Sequence, residues 1–364
     1  MGLEAKMDAG RVMPTQEVPL EPDLPIIDPH HHVWDRAGRP SYLFPEFLAD
    51  ISSGHNIVAT VAVECGDMYR VHGAPELRSV GETEFLNGIA AMFASGKYTR
   101  TLACAGIVGM ANLRLGEKVG PVLDAHIAAG GGRFKGIRVS AFWHESYLPA
   151  RIKFRRAALG QDTPTHLLLD PDLRTGFACL ARRNLTCDVS IFYTQIPDLI
   201  DLARAYPDTK IIVGNYVGPL GLGPYAGKYK EVFGPWRAGL HELARCANVY
   251  VKFSGIYYAG VPVPGYVMGE NGEFEVKPGS SELAMAWRPY VEACIDAFGP
   301  GRCMFTSNFP PENAVSSYIG LWNAFKRISA GYSQDERAAL FSETAANVYR
   351  LPKPAEIVWP EAKK

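Results

Sequence analysis

Short β-branched runs alternate with longer segments of helical period along almost the whole chain, and this rhythm constrains the fold more than any other feature. Strand-like runs end near His30, Glu64, Val108, Ser140, Ile191, Asn215, Ser254 and Asn308. Between them apolar residues recur at helical spacing. The clearest stripe is Ile196, Leu199, Ile200 and Ala203, with Pro197 suited to the first turn and Pro207 beyond the end. Further helices are expected over 80–96, 116–130, 171–183, 230–246, 281–298 and 314–329. A terminal helix follows Ser333, whose spacing to Glu336 makes a capping box. Eight strands, each followed by a helix, predict an α/β chain folded as a (β/α)8 TIM barrel. Strands buried on both faces account for continuous apolar runs such as Val249-Tyr250-Val251.

The chain of 364 residues suits one such barrel with insertions, and its 47% apolar content supplies the core. The predicted organisation is a single barrel domain over 22–364 after a leader, 1–21, expected to be disordered. That leader is polar and proline-containing and lacks the apolar stretch of a signal peptide. Two segments break the rhythm: 142–170 after strand 4 and 255–280 after strand 7, both long and rich in Gly, Pro and aromatics. Loops that follow barrel strands stand on the catalytic face, so these are expected to cover the site and choose its ligand.

A net charge of -1 without runs of like charge gives no case for nucleic acid or an anionic membrane, and no apolar stretch approaches a membrane span. The expected partner is a small-molecule substrate. Homo-oligomerisation stays open, because Trp236 and Trp287 on helical segments could face the barrel or a second copy. Seven cysteines, an odd number with no C-x-x-C pair, read as buried free thiols in a reducing compartment, hence a cytoplasmic location.

The chemistry concentrates where strand 1, expected over 24–28, ends in His30-His31-His32. Alternate side chains of an extended segment point the same way, so His30 and His32 can converge while His31 faces elsewhere. Two imidazoles on one face can start a metal site or polarise a substrate directly. Spacing alone leaves the two open.

The segment IIDPHHHVWD resembles the opening signature of the amidohydrolase-related barrel family, which includes sugar-acid and pyrone-dicarboxylate lactonases. The segments VECGDMYR, AHIAAGGGRFKGIR, GPLGLGPYAGKYKEVFGPWRAGLHELARC and RCMFTSNFPPEN extend the resemblance over nearly the whole chain. It implies a (β/α)8 fold and hydrolysis of a lactone or related cyclic ester, often with one zinc or similar ion. The chain departs from the family pattern at several metal-site positions: Val139, Tyr193 and Tyr216 stand where relatives usually carry His, and Asn308 where many carry Asp, though Asn also occurs among close relatives. After residue 166 the only histidine is His241, in a helical segment. A metal would find His30 and His32, with at best Glu64, a tyrosine or water. The phenol of tyrosine ionises near ~10 and is a poor zinc ligand at neutral pH. No cofactor is therefore expected; if a divalent metal is bound, His30 and His32 are its ligands.

The catalytic set expected instead is His30, His32, Tyr193, Tyr216 and Asn308. A histidine serves as general base, and the phenols and the amide act as oxyanion donors. Tyr193 and Tyr216 would project toward the histidine pair. For substrate binding the candidates are Arg138, Glu64, Trp34, His144 and Tyr257. Arg138 offers a planar fork for a substrate carboxylate, or an internal ion pair with Asp28 or Glu64. Glu64 could be a base, or could orient His30 or His32 through a ring N–H. Lys252 reads as a buried structural cation and Asp188 as a structural partner for a cation. The function expected is opening of a lactone or cyclic ester of a small carboxylated substrate without a catalytic metal. The alternatives are a metal-independent lyase such as a decarboxylase, a lactone isomerase, or a binding protein without catalysis.

Overall fold

The computed structural model describes residues 17–36, 38–145, 164–221, 223–253, 255, 261–267, 274 and 276–359. Eight parallel strands pair in chain order, each with the next. They are β1 (Ile26–His31), β2 (Ile57–Val63), β3 (Leu102–Gly109), β4 (Phe134–Ser140), β5 (Thr186–Ser190), β6 (Ile211–Val213), β7 (Val249–Phe253) and β8 (Cys303–Phe305). The seam between β8 and β1 is closed past the end of β8, where the Asn308 N–H donates to the His30 carbonyl and the His32 N–H to that of Phe309, both at 2.7 Å. The helices are α1 (Phe44–Ile51), α2 (Val80–Ala94), α3 (Val119–Ala129), α4 (Pro171–Ala181), α5 (Ile196–Ala205), α6 (Tyr229–Ala244), α7 (Ser280–Phe298), α8 (Tyr318–Ile328), α9 (Gln334–Ala338) and α10 (Thr344–Tyr349). This is the (β/α)8 barrel that the alternation predicts.

Strand alternation divides the core in two. Outward residues such as Ile137, Val189, Val251 and Phe305 pack under the helices. Inward residues Ile27, Val61, Ile212 and Met304 instead meet Ala345, Val348 and Tyr349 of α10. The terminal helix thus closes the end of the barrel where the strands begin and leaves the other end for the site. Among the described residues no helix is long and apolar enough to cross a membrane. All seven cysteines are buried and free.

Several expectations need correction. Strand 1 starts and ends later than 24–28. Helix α1 was not foreseen, because its stripe is only eight residues long. The terminal helix keeps its capping box at Ser333 but widens to a π turn over 339–343, between α9 and α10. Residues 17–21 belong to the fold rather than to a disordered leader. Asn323 and Lys326 of α8 donate to the Val18, Leu20 and Glu21 carbonyls, and Arg337 pairs with Glu21. The rest of that leader lies outside the described residues. Both long loops follow β4 and β7 as expected; 146–163 and most of 256–275 also lie outside the description.

Candidate active site

The opening of β1 decides the site. Its register against β2 shifts between Asp28 and His31, where Pro29 has no N–H to give. Asp28 points outward and accepts from the Ser307 N–H at 2.9 Å and the Tyr318 hydroxyl at 3.3 Å. Its burial pushes its pKa up to about 6. His31 also faces outward, stacked on Phe47 at 4.2 Å and bonded to Thr60 Oγ1 at 2.9 Å. His30 and His32 meet edge to face, ring centroids 5.0 Å apart, as the alternation predicts. The Nδ1–H of His32 donates to the Val63 carbonyl at 2.8 Å, which fixes the tautomer and leaves Nε2 with its lone pair. The Val63 carbonyl therefore orients this ring.

His30 is 4% exposed, and neither of its ring nitrogens has a hydrogen-bond partner among the described residues. Burial, followed by the charges of Lys252, His32 and Arg138, holds its pKa well below the ordinary value. The imidazole is neutral, with a lone pair available.

Below the histidines lies a charged layer. Glu64 accepts from Arg138 Nε at 2.8 Å, and an Nη of the same fork bonds the Glu64 carbonyl. Of the two roles expected for Arg138, this is the internal ion pair. Lys252 Nζ sits 2.6 Å from Asp188 Oδ2, and the Tyr349 hydroxyl donates to the same carboxylate at 2.8 Å. Lys252 and Asp188 are the structural pair that their types suggested. Asn308, at a left-handed φ of 50°, gives one amide proton to Glu312 at 3.0 Å. Sequence reading missed Glu312, and also Glu82. The Glu82 carboxyl is buried and cradled by the N–H groups of Cys65, Gly66 and Asp67 that follow Glu64. Burial, then the Glu64 carboxylate, pushes its pKa up to about 7. The Glu82 position carries no local signal, since it is one of two acids, with Glu84, in the first turns of α2.

The remaining residues are dispersed. Trp34 stacks on His32 with centroids 6.1 Å apart. His144 bonds the Tyr225 hydroxyl at 2.9 Å and so ties the loop after β4 to the loop after β6. Tyr193 is half-buried and lines an outer groove between α5 and α6 with Ile196, Pro235 and Gly239. Tyr216 is 1% exposed and packs on Phe253 at 5.2 Å, its hydroxyl without a partner among the described residues. The expected convergence of the two phenols on the histidine pair is not what these contacts describe. Tyr257 lies outside the described residues.

The amidohydrolase family profile matches residues 27–351. The chain belongs to the amidohydrolase family. With that membership comes its enzyme class, a hydrolase built on a (β/α)8 barrel. A protein of Sinorhizobium fredii, the uncharacterised y4mH, is 34% identical over 350 residues, covering 90% of this chain and 99% of the relative. An L-fucono-1,5-lactonase of Burkholderia ambifaria is 24% identical over 335 residues, covering 90% and 97%. Among solved structures, an amidohydrolase from Burkholderia multivorans with bound HEPES aligns at TM-score 0.63 and 24% identity, over 90% of this chain and 99% of that one. A second crystal form of the same protein holds zinc and aligns at TM-score 0.59. These structures share the fold.

The donor set of this amidohydrolase can be tested against such an ion. His30 and the Nε2 of His32 offer nitrogens, but among the described residues no group of three His, Cys, Asp or Glu side chains could hold a metal. Catalytic zinc normally takes three protein ligands. The described residues therefore do not complete a zinc site.

Proposed function

We propose that this amidohydrolase opens a lactone or related cyclic ester of a small carboxylated substrate, with His30 as general base and the Asn308 amide as oxyanion donor. The observation that carries the reading is the buried, neutral His30, its ring nitrogens without protein partners, at the mouth of the barrel. The lactonase name of a relative supports the substrate class. In this reading His30 takes a proton from water as the oxygen attacks the acyl carbon. The carbonyl oxygen becomes an oxyanion and receives the second amide proton of Asn308. The ring C–O bond then breaks, and the imidazolium returns the proton to the departing alkoxide. Lactone and water give a hydroxy acid. Lys252 and Arg138 oppose the imidazolium but favour the oxyanion, so the two charges develop together. Tyr193 lines the outer groove and the Tyr216 ring packs on Phe253, so we assign the donor role to Asn308.

The test is turnover of a lactone panel by untagged protein, with metal content measured and activity compared before and after chelation. We expect turnover that survives chelation and falls at least about 100-fold in His30→Asn. Near-stoichiometric zinc with activity lost to chelator would overturn the metal-free part of the reading. Turnover unchanged in His30→Asn would overturn the base. If no lactone is opened and carbon dioxide is released from aromatic carboxylates, the enzyme is a lyase.

A further inference from the structure

The loop after β1 carries two cations that the chemistry above does not use. The guanidinium of Arg36 lies over the Trp34 ring at 5.2 Å from its centroid, and that of Arg39 at 5.8 Å. The same indole stacks on His32. Each guanidinium is therefore no farther from the His32 ring than two successive ring contacts. Trp34 itself is fixed: it is 5% exposed, its indole N–H donates to the Pro40 carbonyl at 3.2 Å, and its backbone pairs with Tyr42. The loop is tied to the next one by the Asp35 N–H on Asp67 at 2.8 Å and the Cys65 thiol on the Val33 carbonyl at 3.6 Å. Arg36 is within electrostatic reach of Cys65, beside Glu64. Both loops follow strands and so stand on the catalytic face.

Neither Arg36 nor Arg39 forms an ion pair among the described residues, and both are half-buried. The adjacent carboxylates are occupied elsewhere. Asp67 accepts the N–H groups of Asp35 and Met68, and Asp35 accepts the Ser41 hydroxyl. Arg138, the cation that sequence reading offered to a substrate carboxylate, is instead held by Glu64. We infer that Arg36 and Arg39, splayed on Trp34, form the anion-recognition element of the site and select substrates with a carboxylate on the side of the ring nearest His32. The inference rests on the proposed hydrolase reading for its reaction but not for its ligand. Stacking on an aromatic face leaves the N–H fork of a guanidinium free to grip a carboxylate in two places.

The experiment compares wild type with Arg36→Gln/Arg39→Gln and Arg36→Lys/Arg39→Lys. The first readout is the ratio of kcat/KM for a carboxylated lactone to that for its neutral methyl ester. The Gln pair should lower this ratio at least about tenfold, as expected for loss of a charge-assisted hydrogen bond. The Lys pair should keep most of the preference, which should weaken with added salt in wild type. The second readout is calorimetric binding of isophthalate against isophthalamide, which needs no turnover. If no lactone is opened but isophthalate binding is lost in the Gln pair alone, the hydrolase reading fails and this one stands. A lactone preference and an isophthalate affinity both unchanged in the Gln pair would overturn it.

Discussion

His30 illustrates how a site residue differs from a core residue. Its ring is as buried as the valines of the barrel, yet its nitrogens find no protein partner among the described residues. An unpartnered buried polar atom costs about 1–3 kcal/mol. His30→Leu should therefore abolish lactone opening while raising stability by about 1 kcal/mol, a trade expected where function maintains an unfavourable group. Urea denaturation beside an activity assay reads both, and a stability loss larger than 1 kcal/mol would show that the ring is instead a structural element. His126 has the opposite character. It is fully buried, bonded to Thr83 at 2.8 Å and the Met110 carbonyl at 3.0 Å, and stacked on Phe134. Burial does not separate these two histidines; their hydrogen bonds do.

Among the elements, the charged layer inside the barrel depends on α10. Tyr349 reaches up from the closing helix to Asp188, which in turn neutralises Lys252, itself fully buried and 4.7 Å from the Tyr349 ring centroid. Removing the carboxylate strands a buried ammonium. Asp188→Ala should cost about 3–5 kcal/mol, whereas Tyr349→Phe, which leaves the ion pair intact, should cost about 1 kcal/mol. Equal losses in urea denaturation would mean that the layer is not organised by charge. The turn after β6 shows the limit of local reading. Asn215, Tyr216 and Val217 all have φ near the left-handed region, at 56°, 53° and 58°. For a β-branched residue this is strained. It is held by the Trp236 indole on the Tyr216 carbonyl at 3.0 Å and the Gly218 N–H on the Asn215 carbonyl at 2.7 Å. A side chain carried on such a turn does not follow strand alternation, which is why Tyr216 packs on Phe253 where the sequence expected it beside His30.

For the whole molecule, opposed titrations set the response to acid. Burial lowers His55 and His126 to about 4 and His31 to about 3. The unfolded chain binds these protons from pH 6.5 downward while the folded chain refuses them, so their stability contribution is lost as pH falls toward 4. Asp28 and Glu82 have raised values, about 6 and about 7. Their contribution is present at low pH and is lost as pH rises through those values. His126→Gln should therefore flatten the fall in stability between pH 6.5 and 4, and Glu82→Gln should steepen it. Denaturation midpoints across that range give the sign of each effect. Parallel profiles for wild type and both variants would refute it.

The alternation of strand and helix and the outward or inward turn of His30, His31 and His32 were legible in the residues themselves. Both follow from periodicity, a local property of the backbone. The ion-pair character of Lys252 and Asp188 was legible too, because a charge inside an apolar strand must find an opposite one. What only the tertiary structure decided was pairing across the barrel. Arg138 could have served a substrate or Glu64, and Arg36 and Arg39 gave no sign of being the cations left over. Such choices depend on distances between residues remote in sequence, which strand register and loop closure set together.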